Sequence, residues 1–78
     1  MTTTYERLRS AEGIELNEGD LINDGYSTYK ILHIYDVGNR VILLEREMME
    51  DGSFLFVMNP SYRSFADIGT NFTVIVKQ

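Results

Sequence analysis

The sequence predicts a mainly β protein, one small antiparallel assembly of five to six short strands, and three observations carry that reading. Two β-rich runs, 29–37 and 40–48, are separated only by Gly38-Asn39, a pair suited to the left-handed positions of a tight hairpin turn. A third run, 53–59, follows Asp51-Gly52, another favoured turn pair, so the three runs form a meander. The chain has 78 residues and no cysteine, so it must fold on its core alone, without disulfides or Cys-based zinc sites.

The elements follow in order. Thr3-x-x-Glu6 has capping-box spacing, Tyr5 and Leu8 stand three apart, and Gly13 sits where a helix would stop, which predicts a short helix over 4–12. Ile14-Glu15-Leu16 alternates as a strand does. Glu18-Gly19-Asp20 then turns the chain into Leu21-Ile22, and Asn23-Asp24-Gly25 turns it again. After the meander, Pro60 has no N–H to donate and is expected to end ladder pairing. Residues 61–68 are expected to hold one helical turn closed by Gly69, before a last strand over 72–77. The organisation is a single domain over 1–78, with 1–12 as an arm or short helix and 14–78 as the β body.

Glu18-Gly19-Asp20-Leu21-Ile22, the meander over 29–59 and the turn over 60–69 leading into 72–76 resemble the SH3-like small β-barrels. The resemblance covers most of 14–78. It implies an antiparallel barrel with one helical turn before the last strand, and it implies no particular function, since unrelated activities share that architecture. A five-stranded OB-type barrel is the nearest competitor, and the chain is short for it and lacks a long helix between strands three and four.

If Gly38-Asn39 is a two-residue turn, Lys30 lies opposite Glu47 and Ile34 opposite Leu43. Lys30, Leu32, Ile34 and Asp36 then share a face with Val41, Leu43, Glu45 and Glu47, a small core with charged ends. The other face carries Tyr29, Ile31, His33, Tyr35 and Val37 with Arg40, Ile42, Leu44, Arg46 and Met48. A barrel interior accepts one face at a given point. Monomers rarely leave an apolar patch above roughly 300–600 Å² uncovered. The second face is therefore expected to be covered by curvature, by the N-terminal segment with Tyr5 and Leu8, or by a protein partner or second copy. Tyr29, Ile31, His33, Tyr35, Ile42 and Leu44 are the expected partner-binding residues.

Seven Lys and Arg against twelve Asp and Glu leave a net charge of −5, the wrong sign for a protein that neutralises phosphates, so generic nucleic-acid binding is disfavoured. Glu12, Glu15, Glu18, Asp20 and Asp24 follow one another with no Lys or Arg between them, and they are the expected acidic rim, steering a basic partner. No apolar run is long enough for a signal peptide or a membrane span, which makes a cytoplasmic protein the expectation.

The chemistry of catalysis is thin. His33 is the single histidine, and between Ile31 and Tyr35 it reads as a packing residue. No nucleophile elbow surrounds Ser27, Ser53, Ser61 or Ser64, and the scattered glycines make neither a P-loop nor a dinucleotide fingerprint. Asp20 to Gly25 imitates the start of a calcium loop, but Ile22 and Ile31 stand where ligands are needed. No catalytic residue, metal, cofactor or small-molecule substrate is therefore expected. The tyrosines suit a half-wet aromatic groove of the kind SH3-like domains offer to peptides. The expected function is a non-enzymatic acidic protein-binding module, similar to the inhibitors that phages and mobile elements direct at basic host proteins. The alternative is a small barrel that binds single-stranded nucleic acid through aromatic stacking, with Lys30, Arg40, Arg46 and Arg63 clustered.

Overall fold

The two long β-rich runs form the spine of the sheet. In the computed structural model, which describes residues 8–78, β2 (Thr28–Tyr35) and β3 (Arg40–Met48) pair antiparallel, and β1 (Leu21–Asn23) pairs with β2. On the far side of β3 lie β4 (Phe54–Phe56), against Arg46–Met48, and β5 (Ser61–Ser64), against Arg40–Leu43. β4 and β5 are thus one strand line broken by residues 57–60, so Pro60 sits in the break and pairing resumes after it. Helix α1 (Phe65–Asn71) follows, and β6 (Thr73–Val76) returns to pair with β1.

The fold is therefore mainly β, with six antiparallel strands in the order β4-β3-β2-β1-β6 and β5 beside β3. The expectation of a closed barrel is corrected: among the described residues no ladder joins β6 to β4 or β5, so the sheet is open. Side chains from outside the sheet complete the core instead. Leu8 and Leu16 from the N-terminal segment and Phe65 and Ile68 from α1 pack with Ile22, Tyr29, Ile31, Val41, Leu43 and Phe72.

The hairpin register is also corrected. The turn spans four residues, 36–39, with the Asn39 N–H donating to the Asp36 carbonyl at 3.4 Å, and Tyr35 lies opposite Arg40. Gly38 (φ 94°) and Asn39 (φ 52°) do occupy left-handed conformations, but as the last two positions of a longer turn. Lys30 consequently faces Leu44 and Ile34 faces Val41. A bulge at Leu32 matters more. Ile31 pairs with Leu43 while His33 pairs with Ile42, so β2 carries one extra residue there. The alternation of sides resets across it. Tyr29 and Ile31 before the bulge and Ile34 after it therefore all turn toward the core.

The expected N-terminal helix over 4–12 is not supported. Residues 1–7, Tyr5 among them, lie outside the described residues. From Leu8 onward the chain makes a small antiparallel loop in which Arg9 bridges Glu15 and the Leu16 N–H donates to the Leu8 carbonyl at 3.0 Å. The Ser10 hydroxyl accepts the N–H groups of Glu12 and Ile14, which favours a turn over a helix. Both leucines reach the core. At the other end, Ser64 caps α1 by accepting the Asp67 N–H. Phe65 and Ile68, three apart, bury one helix face. The helix runs past Gly69 to Asn71, longer than the single turn expected, and Ser61–Ser64 is strand rather than helix.

Candidate interaction face

Directly opposite residues in an antiparallel ladder share a face, so the register assigns every strand residue a side. On the side away from the core, His33, Ile42 and Tyr62 form one cross-strand row, and Tyr35, Arg40 and Ser64 form the next. Tyr35 is 49% exposed and Tyr62 64%. The rings of His33 and Tyr35 lie 5.9 Å apart. Further along the same side, Lys30 stands opposite Leu44, Arg46 opposite Phe56 and Met48 opposite Phe54. Here cations lie over rings: the Arg46 guanidinium is 4.0 Å from the Phe54 centroid, and the Lys30 ammonium 5.4 Å from that of Phe56.

The six expected partner-binding residues therefore divide. Tyr29 and Ile31 are core residues, Tyr29 meeting Phe72 edge-on at 5.7 Å. Burial, with the charges of Asp24 and Glu45 nearby, pushes the Tyr29 phenol above its ordinary value. Leu44 is on the outer side but only 6% exposed. His33, Tyr35 and Ile42 do share an outer patch, and Tyr62, expected among the groove tyrosines but not among these six, joins them through β5. Its alternation with Ser61 and Arg63 was a usable signal, hidden by the expectation that pairing stops at Pro60.

The acidic positions prove to be built into the backbone. Glu12 Oε1 accepts the Val74 N–H at 2.8 Å. Glu18 Oε2 accepts the Ile34 N–H at 3.0 Å, just past the bulge, and lies 3.2 Å from His33 Nδ1. These two partners, Ile34 first, hold the Glu18 carboxyl below its ordinary value. Asp24 accepts the N–H groups of Tyr26 and Ser27 in the turn before β2. Asp20 is fully buried and accepts the N–H groups of Asn17 and Gln78, each at 2.8 Å, and the Lys77 ammonium at 2.5 Å. Burial pushes its carboxyl up, but Gln78, Lys77 and Asn17 together outweigh that and hold it below the usual range. The Lys77 ammonium also bonds the Glu15 carbonyl at 2.7 Å. Asp20 has no surface to offer a partner.

Glu18 and His33 form a carboxylate–imidazole contact, and both side chains are more than half exposed. The hollow beside it, about 470 Å³, is lined by Leu8, Glu15, Asn17, Glu18, Ile34 and Asp36 among others, without His33 or a serine. The contact joins two surface groups, and which of them donates depends on the imidazole tautomer. Among the described residues no three His, Asp or Glu side chains converge on a metal position, and no helix is long and apolar enough to cross a membrane. No protein-family model, curated protein or solved structure matches the chain.

Proposed function

We propose that this chain is a non-enzymatic protein-binding module, built on an SH3-like small-barrel plan, that engages its partner through the outer side of β2, β3 and β5. The plan is suggested by the meander, the short helix before the last strand and the return of that strand to β1. The observation that carries the function is the Tyr35, Ile42 and Tyr62 patch, which stays outside although the core is already filled by other residues. Aromatic side chains in such a position supply large contact area at little entropic cost.

A basic partner fits the charge of the turns, and the acids available for steering it are Glu50 and Asp51 at the tip of the β3–β4 hairpin, both exposed. A host-directed inhibitor that sets carboxylates in place of phosphates would use this hairpin, because Glu12, Glu18, Asp20 and Asp24 are committed to backbone N–H groups. The test is affinity capture with the wild type and with Tyr35→Ala plus Ile42→Asp. A captured protein should be lost with the variant while the unfolding midpoint barely moves. Equal capture by both, or an unfolded variant, would overturn the proposal.

One observation favours a second reading, binding of single-stranded nucleic acid. Lys30, Arg40 and Arg46 share the outer side with Phe54, Phe56, Tyr35 and Tyr62, whereas Glu45 and Glu47 lie on the opposite side of β3. Three cations interleaved with rings is the chemistry of a stacking platform. Oligonucleotide binding that weakens steeply with salt would select this reading over the protein partner.

A further inference from the structure

The two outer edges of the sheet are treated differently. In the β3–β4 ladder, the Met49 N–H donates to the Ser53 carbonyl and the Val57 N–H to the Glu45 carbonyl, both at 2.7 Å. Antiparallel pairs alternate between those that exchange hydrogen bonds and those that do not. Glu47 and Leu55 therefore form the bonding pair between these two, and the N–H and C=O groups of Phe54 and Phe56 point away from β3. β4 ends the sheet there. At the opposite end, the Val74 N–H of β6 is occupied by the Glu12 carboxylate, a charge placed where it blocks further pairing. Nothing comparable covers β4 among the described residues.

The exposed strand is also free of charge. Ser53-Phe54-Leu55-Phe56-Val57-Met58 has high β propensity and neither a charged residue nor a proline. It belongs to a two-stranded ribbon in which every residue from 47 to 55 is exposed, and such a ribbon is marginal in water until further strands join it.

We propose that a second copy of this chain pairs with β4 antiparallel about a twofold axis at Leu55. Phe54 then lies opposite Phe56 of the second copy, and their outward groups exchange hydrogen bonds reciprocally in a four-stranded sheet. The strand is its own complement: Phe54-Leu55-Phe56 reads the same in both directions, so a twofold pairing sets ring against ring and leucine against leucine. A chain of net charge −5 meets its twin without like charges in contact along this uncharged strand, and the antiparallel arrangement carries the Glu50 and Asp51 tips to opposite ends. The pairing uses a backbone edge and does not depend on the outer-face reading.

The chain has no cysteine, so single thiols report the geometry. Leu55 and its twin form a non-bonded pair with Cα atoms about 4.5 Å apart, within the disulfide range. Asp51 and its twin are separated by about 26 Å at strand rise. Under mild oxidation Leu55→Cys should form a covalent dimer at least about tenfold faster than Asp51→Cys, because pairing holds the two thiols at millimolar effective concentration. In the full chain Leu55→Lys sets two like charges face to face at the axis while standing opposite Glu47 of its own strand pair. It should lower the dimer fraction in sedimentation equilibrium and leave the unfolding midpoint unchanged at low concentration. Equal crosslinking of the two cysteine variants would overturn the proposal. So would a wild type that stays monomeric up to its solubility limit, which would hand the β4 edge to a foreign strand.

Discussion

Replacing Asp20 by alanine should cost a large part of the stability of this fold. Its carboxylate is fully buried and holds the N–H groups of Asn17 and Gln78 and the Lys77 ammonium. Leaving two part-buried N–H groups without acceptors costs about 1–2 kcal/mol each, the lower part of the range for buried groups. Lys77 is 38% exposed and regains water, so it adds little. The loss is then about 2–4 kcal/mol, against a total of about 4–12 kcal/mol expected for a domain this size. At about 4–8 °C per kcal/mol, the melting temperature should fall by about 8–32 °C. Asp20→Asn keeps one acceptor oxygen and should lose less. Because the folded carboxyl is held below its unfolded value, its contribution is present above about pH 3.9 and is lost as the pH falls through the folded value. The wild type should therefore weaken on acidification more steeply than Asp20→Asn, while Glu18, Asp24 and Asp51, also held low, keep some slope in both. Urea unfolding followed by circular dichroism at pH 7 and in acid measures this. A loss below about 0.5 kcal/mol for Asp20→Ala would mean that the Asn17 and Gln78 N–H groups do not depend on this carboxylate.

Three further outcomes follow from the packing. Ile31→Ala should cost about 2–5 kcal/mol in the same assay, because the side chain is fully buried, whereas Ile42→Ala on the outer side should cost about 1 kcal/mol or less; a reversed order would place the core on the wrong side of β3. Ser64→Ala removes the cap on α1 and should cost about 1 kcal/mol, with Ser64→Asp restoring it. Gly19→Ala should destabilise through its φ of 95° and the Gln78 side chain 3.2 Å from the added methyl, and an unchanged midpoint would contradict the conformation of that turn.

Much of the fold was legible because tight turns and β-rich runs are local signals. Gly38-Asn39 and Asp51-Gly52 marked the meander, and the helix before the last strand was anticipated near its place. What failed was non-local. The alternation of 29–37 reads as one uninterrupted strand, and nothing in its residue types shows the extra residue at Leu32. The bulge is set by Glu18, which bonds the Ile34 N–H from a segment far away in sequence, and by Gly19 and Asp20, which bond the Ile31 backbone. Gly13 imitated a helix end, yet the Ser10 hydroxyl bends the chain at Glu12 and Ile14. The acidic run 12–24 looked like surface charge, and four of its five carboxylates accept backbone N–H groups instead. Of the expected site, His33, Tyr35 and Ile42 share the outer patch, and Tyr29 and Ile31 lie in the core because a single bulge decides which residues face out.

The side assignment on β2 underlies the proposed binding face, and cross-strand nuclear Overhauser effects measure it directly. With the bulge at Leu32, backbone contacts should join Ile31 to Leu43, His33 to Ile42 and Ile34 to Val41. Contacts from Lys30 to Glu47 and from Ile34 to Leu43 would describe an unbroken strand in which Tyr29 and Ile31 face outward beside His33 and Tyr35, and would contradict the bulge.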